Sequence, residues 1–342
     1  MRKLATIQKI LETNQIPDAD YIELVKIMGW QCVAVKNEFK PGDLCVYFEV
    51  DSYLPIDERF EFLRASSYRN NEYMGEGFRV KTAKFRGEIS QGLALPLSAF
   101  PELNNCTEGD DVTDLLNVRK WEMPEQLSSA GTAIGSKPFG IPTTDETRIQ
   151  SVPDFLEHFI DKPYYISTKM DGTSCTIYVK EGKVGVCGRN TEYKEENDKC
   201  SMWAYVNKHN LKEKLIELGE DIALQGEFCG GGIQKNRLKL TEPALYIFDV
   251  IKIGDNGTLN KCGLNEILEY CNKLDLQSVP IEETGDAFRY TLPELIERAK
   301  GKYASGLDKE GIVVRTQEYG RVGNDKLSFK VINNDFLAKE KG

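Results

Sequence analysis

Two alternating apolar segments on either side of Lys169-Met170-Asp171-Gly172 constrain the fold more than any other feature of the chain. Both Tyr164–Thr168 and Cys175–Val179 are rich in β-branched and aromatic residues, which predicts two strands. Glu181-Gly182 predicts a tight turn that pairs the second strand with a third over Lys183–Gly188. Lys169 is therefore expected where one strand ends and the next begins.

A lysine at such a strand end has the chemistry of a covalent nucleophile toward a nucleotide phosphate. With a reference pKa of about 10.4, only about one lysine in a few thousand is neutral at pH 7, so attack requires its charge to be displaced. Asp171 places a carboxylate beside the ammonium or beside a metal ion, and Gly172 lets the backbone bend close to a ligand. The structural alternative is a turn lysine that pairs with Asp171, because four residues alone are a weak motif.

Further acids, cations and an aromatic residue follow at the ends of predicted strands. Glu227 lies in the strand Leu224–Phe228, Phe248 in the apolar strand Ala244–Val250, and Glu310 begins the strand that ends at Arg315. Nucleotide transfer puts charge on the α-phosphorus and on the departing pyrophosphate, so it needs cations for phosphates and carboxylates for metal ions. The available carboxylates are Asp171, Glu227 and Glu310, and the available cations are Arg189, Arg315, Lys326 and Lys330.

In this order, the residues resemble motifs I, Ia, III, IIIa, IV and V of the covalent nucleotidyltransferase superfamily of ligases and capping enzymes. The resemblance spans Thr143 to Asn333. Thr144–Gln150 is similar to a TDExRxQ segment upstream of motif I in RNA ligases, although N-capping and a surface ion pair also explain it. In motif V many relatives have Lys-x-Lys, whereas this chain has Ser328-Phe329-Lys330, so either Lys326 or Ser328 takes the first position.

The resemblance implies a role for each matching residue. Lys169 would bind AMP through a phosphoramide bond, Arg189 would contact the nucleotide or the end being joined, and Phe248 would stack on adenine. The implied catalytic residues are Lys169, Asp171, Glu227, Glu310, Lys326 and Lys330. The implied ATP-binding residues are Thr168, Gly172, Arg148, Gln150, Arg189, Phe248, Lys326 and Lys330. Two Mg²⁺ or Mn²⁺ ions are expected on Asp171, Glu227 and Glu310.

The fold class implied by these patterns is α+β. Short strands across residues 1–116, such as Ile22–Ile27, Gln31–Val35, Asp43–Val50 and Phe78–Thr82, predict a small N-terminal β-barrel. Ile16–Leu24 and Phe85–Leu93 are similar to OB-fold tRNA-binding modules attached to some aminoacyl-tRNA synthetases. Residues 117–140 are expected to form a linker, and residues 141–342 an ATP-grasp-like DNA/RNA ligase domain of antiparallel sheets flanked by helices. Helices are predicted at Pro153–Phe159, Ser201–Leu218 and Gly263–Leu274.

Two basic clusters suggest contact with RNA phosphates. The first contains Arg79, Lys81, Lys84 and Arg86, and the second contains Lys235, Arg237 and Lys239. A solvated edge protected by charge is the structural alternative. The formal net charge of -10 argues mildly against a nucleic-acid partner, although a local contact face outweighs net charge.

Composition favours an intracellular enzyme that does not enter a membrane; a monomer is expected, although the sequence does not determine the oligomeric state. Charged residues make up 29% of the chain, no apolar run approaches the roughly 20 residues of a membrane span, and the start lacks a secretory apolar region. The nine cysteines form no CxxC pair, which argues against a structural zinc and favours reduced thiols of a cytoplasmic or nuclear protein.

The order of the domains narrows the expected reaction. Only the segment Val331 to Gly342 follows Lys330, which is too short for a second barrel. An OB domain placed first resembles the ATP-dependent RNA ligases sometimes called family 5, which implies RNA repair at 3′-hydroxyl and 5′-phosphate ends. A nick in a duplex is the expected substrate, because a template aligns its ends. A GTP-dependent capping-type guanylyltransferase, a DNA ligase and a non-enzymatic OB-fold RNA-binding module remain as alternatives.

Overall fold

The chain forms two compact units. The structure, a computed structural model, describes residues 2–122, 131–195, 200–323 and 325–339. The first unit comprises Met1–Pro124, Gln150–Pro153 and Leu337–Gly342, and the second comprises Glu125–Ile149 and Asp154–Phe336. Antiparallel sheets with a few helices dominate both units, which confirms the predicted α+β class.

Short antiparallel strands build the first unit. Its sheets have the orders β1-β5-β11, β2-β3-β4 and β12-β6-β8-β7, with β9 and β10 forming a separate hairpin. Its core is apolar and aromatic, with Phe48, Phe60, Phe78 and Phe100 fully buried. The strands are β1 Ala5–Lys9, β2 Glu12–Gln15, β3 Ile22–Ile27, β4 Trp30–Val35, β5 Leu44–Phe48, β6 Ser52–Leu54, β7 Tyr68–Asn71, β8 Gly75–Arg79, β9 Ala83–Phe85, β10 Glu88–Ser90, β11 Leu93–Pro96 and β12 Arg119–Lys120.

Two larger sheets build the second unit. An eight-stranded sheet has the order β13-β18-β17-β16-β19-β20-β21 with β22 beside β20, and a five-stranded sheet has the order β14-β27-β24-β15-β23. The strands are β13 Ala133–Ser136, β14 Thr147–Arg148, β15 Tyr164–Lys169, β16 Thr173–Lys180, β17 Lys183–Cys187, β18 Thr191–Tyr193, β19 Ile222–Cys229, β20 Ala244–Ile253, β21 Leu259–Lys261, β22 Gln277–Ser278, β23 Ile281–Gly285, β24 Gly311–Thr316, β25 Arg321–Val322, β26 Asp325–Lys326 and β27 Ser328–Ile332. The predicted Glu181-Gly182 turn joins β16 to β17 with both residues in the left-handed region, as a two-residue hairpin requires.

The helices are short and cover apolar sheet faces. The α-helices are α1 Arg64–Ser67, α2 Ser201–Lys208, α3 Leu211–Glu217, α4 Leu264–Leu274, α5 Leu292–Arg298 and α6 Asn334–Lys339. The 3₁₀ helices are Glu58–Leu63, Leu97–Ala99, Pro101–Leu103, Ile149–Ser151 and Pro153–His158. None of the described helices is long and apolar enough to cross a membrane. All nine cysteines are free, and all but Cys106 are buried, as reduced core thiols would be.

Several predicted elements differ from the structure. The helix expected over Ser201–Leu218 is two helices, because Asn210 adopts the left-handed conformation that asparagine tolerates. The short helix expected at Pro153–Phe159 is present as a 3₁₀ helix over Pro153–His158. Within the predicted linker 117–140, β12 pairs with β6 and β13 pairs with β18. Residues 123–130 lie outside the described residues. The residues of motif V belong to two elements, since Lys326 lies in the β25-β26 hairpin and β27 begins at Ser328.

Candidate active site

Lys169 and Glu310 meet where two neighbouring strands of the five-stranded sheet end. Lys169 is the last residue of β15 and pairs with Gly311, the first residue of β24, so Glu310 lies just beyond the paired strands. The Lys169 Nζ atom donates to Glu310 Oε2 over 2.7 Å. Each side chain is 21% exposed, so the ion pair is partly shielded from solvent while still reachable. The structure therefore brings together the predicted nucleophile and a predicted metal-binding carboxylate.

The surrounding charges keep the Lys169 amine protonated. Burial alone would lower the pKa of the Lys169 ammonium, but Glu310, Glu227 and Asp171 outweigh burial and raise that pKa. Burial also raises the pKa of Glu227 to about 7, helped by repulsion from Glu310 and Asp171 and opposed by Lys169. The site therefore holds a charged lysine beside a carboxyl group whose pKa is raised toward neutral pH.

Strand register decides which predicted residues share a face with Lys169. Paired residues point to the same side of a sheet, and successive residues alternate. Ser167, two residues before Lys169 on β15, shares the face of Lys169 and pairs with Val313. Val313 pairs with Lys330, and Lys330 pairs with Arg148, so Lys330 and Arg148 lie on the same face as Lys169. Thr168 lies on the opposite face, where its hydroxyl donates to Glu282 over 2.8 Å. The Thr168 side chain is thus turned away from the predicted nucleotide site.

Asp171 contacts a residue of the second basic cluster. Arg237 Nε lies 3.2 Å from Asp171 Oδ2, and both side chains are mostly buried. The Arg237 guanidinium also stacks on Phe336, 4.3 Å from the ring centre. Arg237 therefore belongs to the candidate active site, whereas its neighbours Lys235 and Lys239 are exposed.

Phe248 projects from an irregularity in β20. The register between β19 and β20 shifts so that Gln225 pairs with Asp249 and Gly226 with Ile247, which leaves Phe248 as the extra residue. Such bulges re-aim a side chain next to active sites. The Arg315 guanidinium lies 5.3 Å from the Phe248 ring centre, and its Nη1 donates to the Phe248 carbonyl over 2.9 Å. Phe248 also lines a pocket with Tyr165, Arg315, Lys326 and Ser328.

The buried carboxylate of Glu146, which was not among the predicted site residues, contacts the motif V side chains of Lys326 and Ser328. Glu146 lies 2.7 Å from Arg315 Nη2 and 3.0 Å from Lys326 Nζ, and its side chain is only 7% exposed. The Ser328 hydroxyl donates to it over 2.6 Å. Although burial favours a neutral acid, Lys326 and Arg315 lower the pKa of Glu146 to about 2. Lys326 and Ser328 thus both reach the same carboxylate, and Arg315 forms a buried ion pair.

Two other predicted nucleotide-binding residues, Arg189 and Gly172, have structural partners, and a third, Gln150, is buried in the first unit. Arg189 pairs with Asp145 over 2.6 Å at the surface. A Cβ atom on Gly172 would lie 2.4 Å from the Phe228 carbonyl, so the close approach of β19 requires glycine at this position. Gln150 belongs to the first unit, where its carbonyl accepts from the N–H of Gly29 over 2.9 Å; among the described residues, its buried side-chain amide has no hydrogen-bond partner.

The first basic cluster separates into buried and exposed residues. Arg79 pairs with Asp51 over 3.2 Å and lies against Trp121, and Lys81 is partly buried, with a pKa lowered by burial and by the neighbouring arginines. Lys84 and Arg86 are exposed at the tip of the β9-β10 hairpin, on either side of Phe85, which is 44% exposed. Only the hairpin part of the cluster therefore offers cations to a partner.

The carboxylates around Lys169 suit a hard divalent cation in chemistry. Asp171, Glu227 and Glu310 all act electrostatically on the Lys169 ammonium, and carboxylate oxygens are the ligands that Mg²⁺ and Mn²⁺ prefer. Within the described residues, no group of three or more His, Cys, Asp and Glu side chains is close enough to hold a metal ion. In this arrangement the ammonium of Lys169 and the guanidinium of Arg237 supply the positive charge.

The comparisons with known proteins agree with this arrangement. An OB-fold domain family model matches residues 4–97, and an RNA ligase family model matches residues 162–332. A Glu-to-Ala mutant of Naegleria gruberi RNA ligase with ATP and manganese is 35% identical over 100% of both chains, with a TM-score of 0.89. The same ligase with pyrophosphate is 35% identical over 99% of both chains, with a TM-score of 0.87. The chain belongs to the RNA ligase family.

Other comparisons are consistent with this assignment. A mutant of the Naegleria gruberi RNA ligase without ligand is 34% identical over 99% of this chain and 98% of that one, with a TM-score of 0.88. No curated protein sequence matches the chain. The predicted order, an OB-fold domain followed by an RNA ligase domain, is confirmed. The ATP and manganese in the Naegleria ligase structures are the cofactor classes that the sequence predicted.

Sequence reasoning missed several residues of the site. Glu146 lies within the quoted TDExRxQ segment, so the segment itself was the available signal. The role of Arg237 beside Asp171 had only the basic cluster as a signal, which predicted RNA contact instead. Tyr303, whose hydroxyl contacts the Lys169 backbone, lies in a segment without any recognised motif.

Proposed function

We propose that this member of the RNA ligase family is an ATP-dependent RNA ligase that works through AMP bound covalently to Lys169. The observation that carries the proposal is the 2.7 Å contact between Lys169 and Glu310 within a group of three carboxylates. After its ammonium loses a proton, Lys169 Nζ would attack the α-phosphorus of ATP. The new P–N bond forms as the P–O bond to pyrophosphate breaks.

The carboxylates and cations have complementary tasks in this step. Asp171, Glu227 and Glu310 would hold two Mg²⁺ or Mn²⁺ ions, whose charge, when bound, would favour the neutral lysine and offset charge on the phosphates. Lys330 and Arg148 would bind phosphate oxygens, a role supported by their position on the same sheet face as Lys169. Phe248 would stack on the adenine, and Arg315 fixes its backbone and lies beside its ring.

The remaining steps join RNA ends. AMP would pass from Lys169 to a 5′-phosphate, and a 3′-hydroxyl would then displace AMP to form the phosphodiester bond. A nicked duplex is the proposed substrate, because a template holds both ends in line and lowers the entropic barrier. Exposed Lys84, Arg86, Lys235 and Lys239 supply cations for RNA phosphates, and the OB-fold unit would grip the duplex or orient pyrophosphate.

Self-labelling tests the covalent step. Wild-type protein incubated with α-labelled ATP and Mn²⁺ should retain label after denaturing electrophoresis, and mass spectrometry should place AMP on Lys169. Lys169→Ala should abolish labelling, and Lys169→Arg should not restore it because a guanidinium stays protonated. Lys180→Ala is the matched control, since Lys180 pairs with Asp221 at the far end of β16 and should be dispensable.

Two outcomes would redirect the assignment. Labelling by α-labelled GTP in preference to ATP would indicate a guanylyltransferase, and full labelling of Lys169→Ala would exclude that lysine. Sealing is measured separately on nicked RNA duplexes, nicked DNA duplexes and single strands. RNA binding without labelling or sealing would instead support a non-enzymatic OB-fold module.

A further inference from the structure

One phenol hydroxyl joins the backbones of the two residues whose side chains meet in the site. The hydroxyl of Tyr303 donates to the carbonyl of Lys169 over 2.7 Å. It also accepts from the backbone N–H of Glu310 over 3.0 Å. The directions follow from chemistry, because a carbonyl only accepts and a backbone N–H only donates. The single hydroxyl proton of Tyr303 is therefore committed to Lys169.

This hydroxyl acts where the strand pairing stops. The last pair between β15 and β24 is Lys169 with Gly311, and Glu310 lies one residue outside it. On its other side, the Glu310 carbonyl accepts from the N–H of Asn333 over 2.9 Å. Both backbone polar groups of Glu310 are thus fixed, one by Asn333 and the other by Tyr303. Removal of the Tyr303 hydroxyl would remove both hydrogen bonds, and the phenol would no longer link the backbones of Lys169 and Glu310.

Tyr303 is itself held in a narrow loop. Its N–H donates to the Leu307 carbonyl over 2.8 Å, and its carbonyl accepts from Gly306 over 2.9 Å. The residue is 9% exposed and packs in an apolar cluster with Met170, Cys229 and Val279. Burial raises the pKa of the Tyr303 hydroxyl, so it stays neutral and able to donate. The tether is therefore anchored at both its backbone and its ring.

We propose that Tyr303 is a positioning residue for adenylylation, which bridges the backbones of Lys169 and Glu310 and so sets the nucleophile relative to the carboxylate. The inference rests on the proposed function, since it assigns a task within the attack on ATP. Reacting groups must be held to within about 0.5 Å, and a misplacement of about 1 Å can cost about a hundredfold in rate. The bridge acts on position instead of ATP affinity, because the Tyr303 hydroxyl is already used by two backbone groups.

The test compares two tyrosine-to-phenylalanine variants of the full chain. Tyr303→Phe keeps the packed ring and removes only the hydroxyl. At saturating ATP and Mn²⁺, its single-turnover labelling rate should fall at least about tenfold, while the half-saturating ATP concentration changes by less than about twofold. Tyr270→Phe is the matched control. The hydroxyl of Tyr270, on α4, donates a hydrogen bond to Glu220 over 2.5 Å, and this substitution also removes only a hydroxyl group. It should label at the wild-type rate.

Amide hydrogen exchange provides a readout independent of activity. Protection of the Glu310 amide should fall in Tyr303→Phe and stay unchanged in Tyr270→Phe, with both proteins folded. A wild-type labelling rate in Tyr303→Phe, equal slowing in both variants, or unchanged protection at Glu310 would overturn the inference. If wild-type protein does not label with ATP, the proposed function fails, and the exchange result still decides whether the tether exists.

Discussion

Lys169 illustrates a conflict between holding a cation and making a nucleophile. The carboxylates of Asp171, Glu227 and Glu310 suit a divalent metal ion, but in the protein alone they raise the pKa of the Lys169 ammonium and keep it charged. An ammonium has no lone pair for attack on phosphorus. Any positive charge bound among the same carboxylates would remove their hold on the lysine proton. The site is therefore expected to be inactive toward ATP until a metal ion is bound.

Burial destabilises the charged form of Glu227 in the folded protein, and the pKa of Glu227 predicts how this effect on the free energy of unfolding depends on pH. In the folded protein its pKa is about 7, above the ordinary value of 4.5. Stability linked to a raised pKa is fully present below the unfolded pKa and is lost as pH rises through the folded pKa. We therefore expect metal-free Glu227→Gln to be more stable than wild type near pH 8, by about 1–3 kcal/mol, with the difference vanishing toward pH 4.5.

Urea unfolding midpoints of the metal-free proteins at several pH values measure this difference. The same substitution should slow adenylylation about tenfold to a thousandfold, because it removes a positioned charge. Glu242→Gln is the control, since Glu242 is an exposed partner of Lys208. Equal midpoints of wild type and Glu227→Gln near pH 8 would contradict the charge balance, and unchanged labelling would contradict the metal-binding role.

Between elements, Glu146 connects strands that belong to different sheets. It precedes β14 and contacts Arg315 on β24, and Arg315 in turn donates to the Phe248 carbonyl on β20 of the larger sheet. Lys326 in the β25-β26 hairpin reaches the same carboxylate. A single buried acid thus fixes the position of the aromatic residue proposed to stack on adenine. Its loss should affect both stability and ATP affinity.

The stability contribution of Glu146 has the opposite pH dependence to that of Glu227. Its folded pKa of about 2 lies below the ordinary 4.5, so the contribution is present above pH 4.5 and is lost as pH falls toward 2. Glu146→Gln should destabilise the protein by about 3–5 kcal/mol near pH 7, because it leaves the largely buried Arg315 and the partly buried Lys326 without their carboxylate partner.

Urea unfolding at neutral and acidic pH checks this expectation, with Asp145→Asn as the control. Asp145 pairs with Arg189 at the surface, and an exposed pair contributes less than about 1 kcal/mol. The gap between wild type and Glu146→Gln should narrow on acidification. A gap that stays constant from pH 7 down to about 3 would show that charge on Glu146 does not stabilise the fold.

The elements also show which information the sequence carries. The strands around Lys169 and the Glu181-Gly182 turn were predictable, because alternation and turn residues are local signals. The displacement of Phe248 was not, since a bulge depends on the register between β19 and β20. Likewise, Glu146 and Tyr303 act through partners far along the chain, and pairing of that kind leaves no periodic trace.

At the scale of the whole molecule, an acidic chain must present local positive charge to an RNA substrate. The net charge is -10, so an RNA phosphate backbone is repelled at long range and must be held by local cations. In the OB-fold unit, Arg79 is used in an ion pair with Asp51, whereas Lys84 and Arg86 extend from a hairpin. Gln31 anchors this hairpin by donating to the Ile89 carbonyl over 2.9 Å.

We expect the double variant Lys84→Ala, Arg86→Ala, at subsaturating enzyme, to seal nicked RNA more slowly than wild type, with a larger fold-loss at low salt than at physiological salt. Each lost phosphate contact should reduce the salt dependence of binding by about one unit of slope. The control is Lys3→Ala, Lys40→Ala, which removes two exposed cations outside the hairpin and changes net charge equally.

A preadenylylated nick, which bypasses the attack on ATP, separates the two proposed uses of this unit. Slower sealing of both nicks indicates RNA contact, whereas a loss confined to the ordinary nick indicates that the hairpin assists the ATP step. If the double variant seals both nicks like the control at both salt concentrations, the hairpin has neither role and its charges serve only to protect a sheet edge.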